Sequence, residues 1–222
     1  MRPQKKSVSE IYSQKQIDIM QKALKLFAEK GYRNSSVRDI AREAGVNVAM
    51  ISYYFGSKDK LLEAIFTRHI AAMNDKLNKI VKDKLHNPVE KLALVIDTYI
   101  DSITENKHFH SLMQRQLMVL REGVLYDGIR KMKSQNRSLL RNAIKAGERA
   151  GYFRKHTDIN MLANTLFGTV NQTFSNRHYL AEAYGIDENN DAAFDKIVIQ
   201  KLRAHLKAMF QSFLTYEQSN KK

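Results

Sequence analysis

Apolar residues recur three and four positions apart along nearly the whole chain, which predicts a succession of helices. Glycine, asparagine–proline and short polar clusters mark the breaks between them. The first run, about Gln14 to Lys30, carries Ile17, Met20, Leu24 and Phe27 on one face and stops at Gly31. Two short patterns follow, Val37–Ala44 and Val48–Tyr54, and then a long one from Lys58 to about Leu85. Asn87–Pro88 breaks that helix, because proline suits a first helical turn and disfavours continuing the one before it. Further runs cover Val89 to Thr104, His110 to about Leu120, Val124 to Ala150, Ile159 to about Tyr184, and Ala192 to about Tyr216. The predicted class is all-α.

The two short patterns meet at one glycine. Ser35 or Ser36 can cap the first, since a serine oxygen accepts from the free N–H groups of an opening turn. Val37, Ile40, Ala41 and Ala44 give it an apolar face, and Gly45 stands where a left-handed C-terminal residue belongs. Val46 fills the corner, and Asn47 can cap the second helix, with Ile51 and Tyr54 turned back towards Ala41. A small residue, a glycine four later and an apolar anchor six beyond that is the spacing of a helix-turn-helix. The free face of the second helix, with Asn47, Val48, Met50, Ser52 and Tyr53, would then enter a major groove. Spacing alone also fits a plain helical hairpin.

Residues 19–32, IMQKALKLFAEKGY, and 53–66, YYFGSKDKLLEAIF, make the case more specific. Together with the helix-turn-helix they resemble the TetR family of bacterial transcriptional repressors. Phe27, Gly31, Ala41, Gly45, Val46, Tyr54, Phe55 and Lys58 stand where that family's pattern places them. The resemblance covers the first quarter of the chain only. It implies a three-helix DNA-binding domain at 14–60 behind a mobile basic arm at 1–13, and a helical ligand-binding and dimerisation domain at 61–222. It implies a ligand-responsive repressor that binds a near-palindromic double-stranded operator as a homodimer. Arg33, Ser36, Arg38 and Lys58 would hold phosphates. Three positions depart from the pattern. Val48, Met50 and Ser52 replace a frequent lysine, a small hydroxyl residue and a tyrosine, so the reading face is more apolar and thymine methyls become its expected targets.

Composition narrows the alternatives. The chain has 222 residues, a formal charge of +14 and no cysteine. That charge favours a polyanionic partner and cannot by itself choose nucleic acid over membrane or acidic protein. Without cysteine there are no disulfides or thiolates, which suits a reducing cytoplasm. No apolar run is long enough to span a bilayer. Seven histidines yield no metal motif. His108 and His110 are two apart and do not share a helix face, and no H-E-x-x-H is present. Nucleophile elbow, phosphate loop and dinucleotide fingerprint are missing too, so neither an enzyme nor a cofactor is expected.

Two further sets follow from the resemblance. Tyr99, Phe109, Met113, Leu117, Met118, Phe167 and Phe174 could line a pocket for a small-molecule effector; read singly, each fits a core. The last helix is apolar over a wide arc, which requires more than one neighbour, inside the subunit or in a partner subunit, and the resemblance favours the partner. With Phe174 and the final stripe, the expected dimer contact is Leu166, Val170, Phe174, Val198, Leu202, Leu206, Met209 and Phe213. The rival reading is a basic helical interaction or small-molecule-binding protein that shows no sequence preference in DNA.

Overall fold

The computed structural model describes residues 12–117 and 122–215, with the side chains of 114–117 and 125 outside the description. The expected basic arm lies outside the described residues up to position 11, as does Met118. Among the described residues every regular element is helical, and no helix is long and apolar enough to cross a membrane.

The helices are α1 (Gln14–Lys30), α2 (Val37–Ala44), α3 (Val48–Phe55), α4 (Lys58–Lys82), α5 (Pro88–Thr104) and α6 (Lys107–Leu117). They continue as α7 (Val124–Arg149), α8 (Ile159–Ser175), α9 (Arg177–Ala183), α10 (Asp191–Phe194) and α11 (Gln200–Leu214). The boundaries follow the capping chemistry. Ser13 and Ser36 each close a reciprocal box, with Gln16 and Asp39 respectively. Asn87 accepts from Val89 and Glu90 N–H while Glu90 accepts from Asn87 N–H. Asp158 caps α8 by accepting from Asn160 and Met161 N–H.

Two expected helices are subdivided. The pattern from Ile159 to Tyr184 is broken at Asn176, whose φ of −100° and ψ of 28° leave the helical region and start α9. The final run contains a wide π turn at Asp195–Ile199 between α10 and α11. Both breaks leave the apolar spacing intact, so periodicity could not reveal them.

The chain packs as two compact units, one of residues up to 75 with 103–135, the other of 76–102 with 136 onward. The divide falls inside α4, α5 and α7 instead of at residue 60. In the first unit Leu61, Leu62, Ile65 and Phe66 are buried in the same core as Ile19, Phe27, Ile40 and Ile51. Gly128 of α7 lets the backbone lie against the Phe66 ring, where an added Cβ would come within 2.9 Å. In the second unit Phe153 lies fully buried over Gly147, leaving no room for a Cβ there. Arg154 ties the turn after α7 to the end of α11 through Leu214 and Thr215 carbonyls. Arg203 of α11 reaches Asp97 and Asp101 of α5, and Lys207 joins Asp97 at 2.6 Å.

Candidate nucleic-acid interface

Helices α2 and α3 form the expected corner, and the hydrogen bonds show how. Ser36 is the cap: its Oγ accepts from Asp39 N–H at 3.1 Å and Asp39 accepts in return from Ser36 N–H at 3.0 Å. Ser35 is buried and donates to the Gly31 carbonyl, so it closes the preceding turn. Those bonds to Ser36 hold the Asp39 carboxyl below the usual carboxylate range. Gly45 takes φ 60°, ψ 41°, and Val46 N–H donates back to Ala41 carbonyl at 3.0 Å. Asn47 then caps α3 by accepting from Ala49 N–H at 2.9 Å. Ala41 and Ile51 are both buried at the crossing, where a larger residue at 41 would separate the helices.

Burial on one side leaves a defined outer surface. Arg33, Ser36, Arg38, Asn47, Val48, Ala49, Ser52 and Tyr53 are all exposed, Tyr53 at 83%. Val48, Ala49, Ser52 and Tyr53 share one face of α3, because residues three and four apart are neighbours on a helix. Met50, expected on that face, is half-covered, since its position turns it to the side. Ala49 takes its place. The signal was in the sequence, as Ala49 lies three before Ser52 and four before Tyr53. A methyl side chain simply gives little to notice.

Lys58 is the residue the geometry treats most differently from expectation. Its ammonium donates to the carbonyls of Tyr32 at 3.0 Å and Ser35 at 2.9 Å, and sits 4.3 Å from the centre of the Tyr32 ring. Tyr32 in turn donates its hydroxyl to Asp59. Burial, with Asp59 adding to it, raises the Tyr32 phenol well above its ordinary value. Two of the three Lys58 donors are therefore spent inside the protein.

The second unit and the α6 region divide the expected pocket residues. Phe109 and Met113 are buried in the first unit's core; Phe109 meets Phe66 edge-on and stacks on His69 with 4.0 Å between ring centres. Burial drives both His69 and the neighbouring His110 down to about 4. Leu117 has no described side chain. In the second unit Tyr99 packs on Phe167 at 4.7 Å. Burial raises the Tyr99 phenol far above its ordinary range, and its hydrogen bond with Asn171 offsets only part of that. Asn171 was not anticipated, because a lone asparagine on a helix resembles any solvated one. Among the described residues no group of three or more His, Asp or Glu side chains is placed to hold a metal ion.

The expected dimer stripe needs correction. Leu166, Val170, Val198, Leu202 and Leu206 are buried by their own chain and offer almost no surface to a partner. Phe174 and Met209 are half-covered, and Phe213 is 56% exposed. The wide apolar arc of the last helix is answered first by intramolecular packing. The face left open on α8 instead carries Met161, Asn164, Gly168 and Gln172, and that on α11 carries Lys201, Ala204, His205 and Ala208.

Comparison with known proteins agrees with this architecture. Residues 19–65 match the family of bacterial regulatory proteins, tetR family, and residues 85–175 match a tetracyclin repressor-like C-terminal domain. The fatty acid metabolism regulator protein of Bacillus subtilis is 27% identical over 161 residues, spanning 72% of this chain and 81% of that protein. The transcriptional repressor NicS of Pseudomonas putida is 28% identical over 178 residues, spanning 77% and 80%. Among solved structures, a putative fatty acid metabolism regulator of Clostridium perfringens superposes with a TM-score of 0.71 at 20% identity, covering 90% of this chain and all of that one. The ketosteroid regulator KstR2 of Mycobacterium tuberculosis gives 0.67 at 19% identity over 93% and 97%. Two domain matches in the family's own order, joined to a corner built on Ala41, Gly45 and Ile51, place this chain in the tetR family of bacterial regulatory proteins.

Proposed function

We propose that the chain is a cytoplasmic, homodimeric transcriptional repressor that reads a near-palindromic operator through α3 and is released by a small-molecule effector. The observation that carries the DNA reading is the exposed face of Val48, Ala49, Ser52 and Tyr53 on a helix anchored from behind by Ile51. Arg33 and Arg38 flank the capped start of α2, where free N–H groups and cationic side chains together suit phosphates. A two-fold dimer would set two such faces about 34–36 Å apart, one helical turn of DNA. For the subunit contact, the open faces of α8 and α11 replace the buried stripe. Gly168, Ala204 and Ala208 permit close helix approach, and Met161 and Phe213 add apolar area.

The methyl-rich face supports thymine methyls as part of the specificity. Selection from random duplexes should return an inverted repeat with thymines opposite Val48 and Ala49. Replacing each such thymine by uracil should weaken binding about fourfold, the equivalent of roughly 0.8 kcal/mol per buried methyl. A selected site indifferent to uracil would refute the assignment, and a failure to enrich any sequence would refute the function.

For the effector, the second unit pairs an aromatic surface, Tyr99 on Phe167, with one hydrogen-bonding couple, Tyr99 and Asn171. A long apolar body with a polar end fits that chemistry. A FadR structure from Bacillus subtilis, 21% identical with a TM-score of 0.65, is described in complex with stearoyl-CoA. A fatty acyl thioester is accordingly the class proposed here. Titrating long-chain acyl-CoA into the DNA complex should release it, and Tyr99→Phe should weaken that response without altering DNA affinity in the effector's absence. Release by no acyl chain of any length would overturn this part alone.

A further inference from the structure

We propose that Lys58 is a positioning residue for DNA recognition, an internal strut between the exit of α3 and the entry of α2, beyond the phosphate contact expected of it. The inference rests on the DNA-reading function proposed above and deepens it.

Lys58 opens α4 directly after the Gly56–Ser57 turn that ends α3. Its side chain crosses to the segment between α1 and α2 and donates to both ends of the Tyr32–Ser35 turn. Other contacts of that turn run to itself or to the end of α1: Ser35 N–H reaches the Tyr32 carbonyl at 3.3 Å, Ser35 Oγ the Gly31 carbonyl, Asn34 Nδ2 the Lys30 carbonyl at 3.1 Å, and the Tyr32 ring meets Phe27 edge-on. The Tyr32 ring under the ammonium and the Tyr32–Asp59 hydrogen bond fix the strut from the side. Part-buried carbonyls bound to a cation are satisfied strongly, and releasing the cation would cost the Ser35 carbonyl this partner and leave the Tyr32 carbonyl with the 3.3 Å bond from Ser35 N–H. Arg33 and Ser36 lie on the outer side of this turn and are exposed. One lysine therefore sets how far the phosphate-gripping turn stands from the reading helix, before any DNA arrives. Preorganisation of this kind raises affinity by lowering the ordering cost of binding.

The test is Lys58→Met, with Lys58→Arg and Tyr32→Phe as companions should the methionine variant fold poorly. In the free protein, amide hydrogen exchange at Ser35 and Ser36 should accelerate at least about tenfold in Lys58→Met while α1 and the core of α4 keep wild-type rates. Exchange unchanged at this turn, or raised uniformly across the unit, would overturn the proposal. That readout needs no DNA and survives a failure of the DNA-binding reading. On a duplex selected with the wild-type protein, at a temperature where both proteins are folded, the variant should bind about tenfold more weakly. Lys58→Arg should recover part of the loss. A slope of log K against log salt shallower by about 1.8, two phosphates per dimer, with exchange at the turn unchanged would show a phosphate ligand alone. A lowered melting temperature with full affinity would show a residue of stability alone.

Discussion

Gly45→Ala separates conformational strain from crowding at the corner that joins α2 to α3. Gly45 adopts φ 60°, ψ 41°, the left-handed region, and a Cβ built there meets nothing within 4 Å. The whole cost is therefore backbone strain, about 1–2 kcal/mol for a residue with a Cβ in that conformation. Loss of glycine's freedom in the unfolded chain returns about 0.4–1 kcal/mol. The difference is about 1 kcal/mol, which for a chain of this size lowers the melting temperature by about 2–4 °C. Asparagine tolerates the same region, so Gly45→Asn should cost less than half as much. Thermal unfolding followed by circular dichroism at one fixed protein concentration measures both. DNA affinity well below the transition should change less than about twofold, because an unobstructed Cβ leaves the crossing angle alone. Destabilisation above about 4 kcal/mol would mean a steric clash and refute the geometry. Weakened DNA binding with unchanged stability would refute the claim that the glycine serves the turn's conformation alone.

The same substitution at Gly147 should behave differently, since its Cβ would lie 2.0 Å from the buried Phe153 ring. Expelling that ring outweighs the helix-propensity gain of about 1 kcal/mol, and denaturant unfolding should show a net loss of about 2–4 kcal/mol. His69, held near 4 by burial against an ordinary value of 6.5, makes stability depend on pH. Below 6.5 the unfolded chain binds a proton that the folded chain refuses until about 4, so stability falls as pH drops through this window. His110 has the same shift and direction. Each histidine contributes about 2–3 kcal/mol across the window, and His69→Leu should flatten a urea-denaturation series between pH 6.5 and 4.5 by roughly half. Arg33→Gln and Arg38→Gln should each make the salt dependence of DNA binding shallower by about 1.8 per dimer while weakening specific and scrambled duplexes alike. Fluorescence anisotropy at several salt concentrations reads the slope directly.

Much of this was legible in the sequence. The helix-turn-helix could be read because its constraints are local: a cap at Ser36, a left-handed glycine at 45 and an anchor at Ile51 all act within a few residues. Lys58 could not, because a lysine in an opening turn has the same pattern whether it faces water, phosphate or two carbonyls more than twenty positions upstream. The dimer face failed for a related reason. Periodicity reports that Leu166, Val170, Leu202 and Leu206 are buried without saying by what, and the chain's own second unit covers them. Phe109 and Met113 show the same ambiguity, being core residues that a pocket would also have chosen. The interruption at Asn176 and the π turn at Asp195–Ile199 left no mark on apolar spacing at all.

The central claim is that the outer face of α3 reads base sequence. Equilibrium binding at physiological salt to a selected duplex and to its scrambled counterpart tests it, with wild-type protein and with Ser52→Ala/Tyr53→Ala, which leaves Ile51 and the capped corner in place. The wild type should show a preference of about 10³-fold or more. In the double variant that preference should fall to within about tenfold of unity, while affinity for scrambled DNA stays near the wild-type value. Equal, steeply salt-sensitive binding of the wild type to both duplexes, or a full preference retained by the variant, would contradict it.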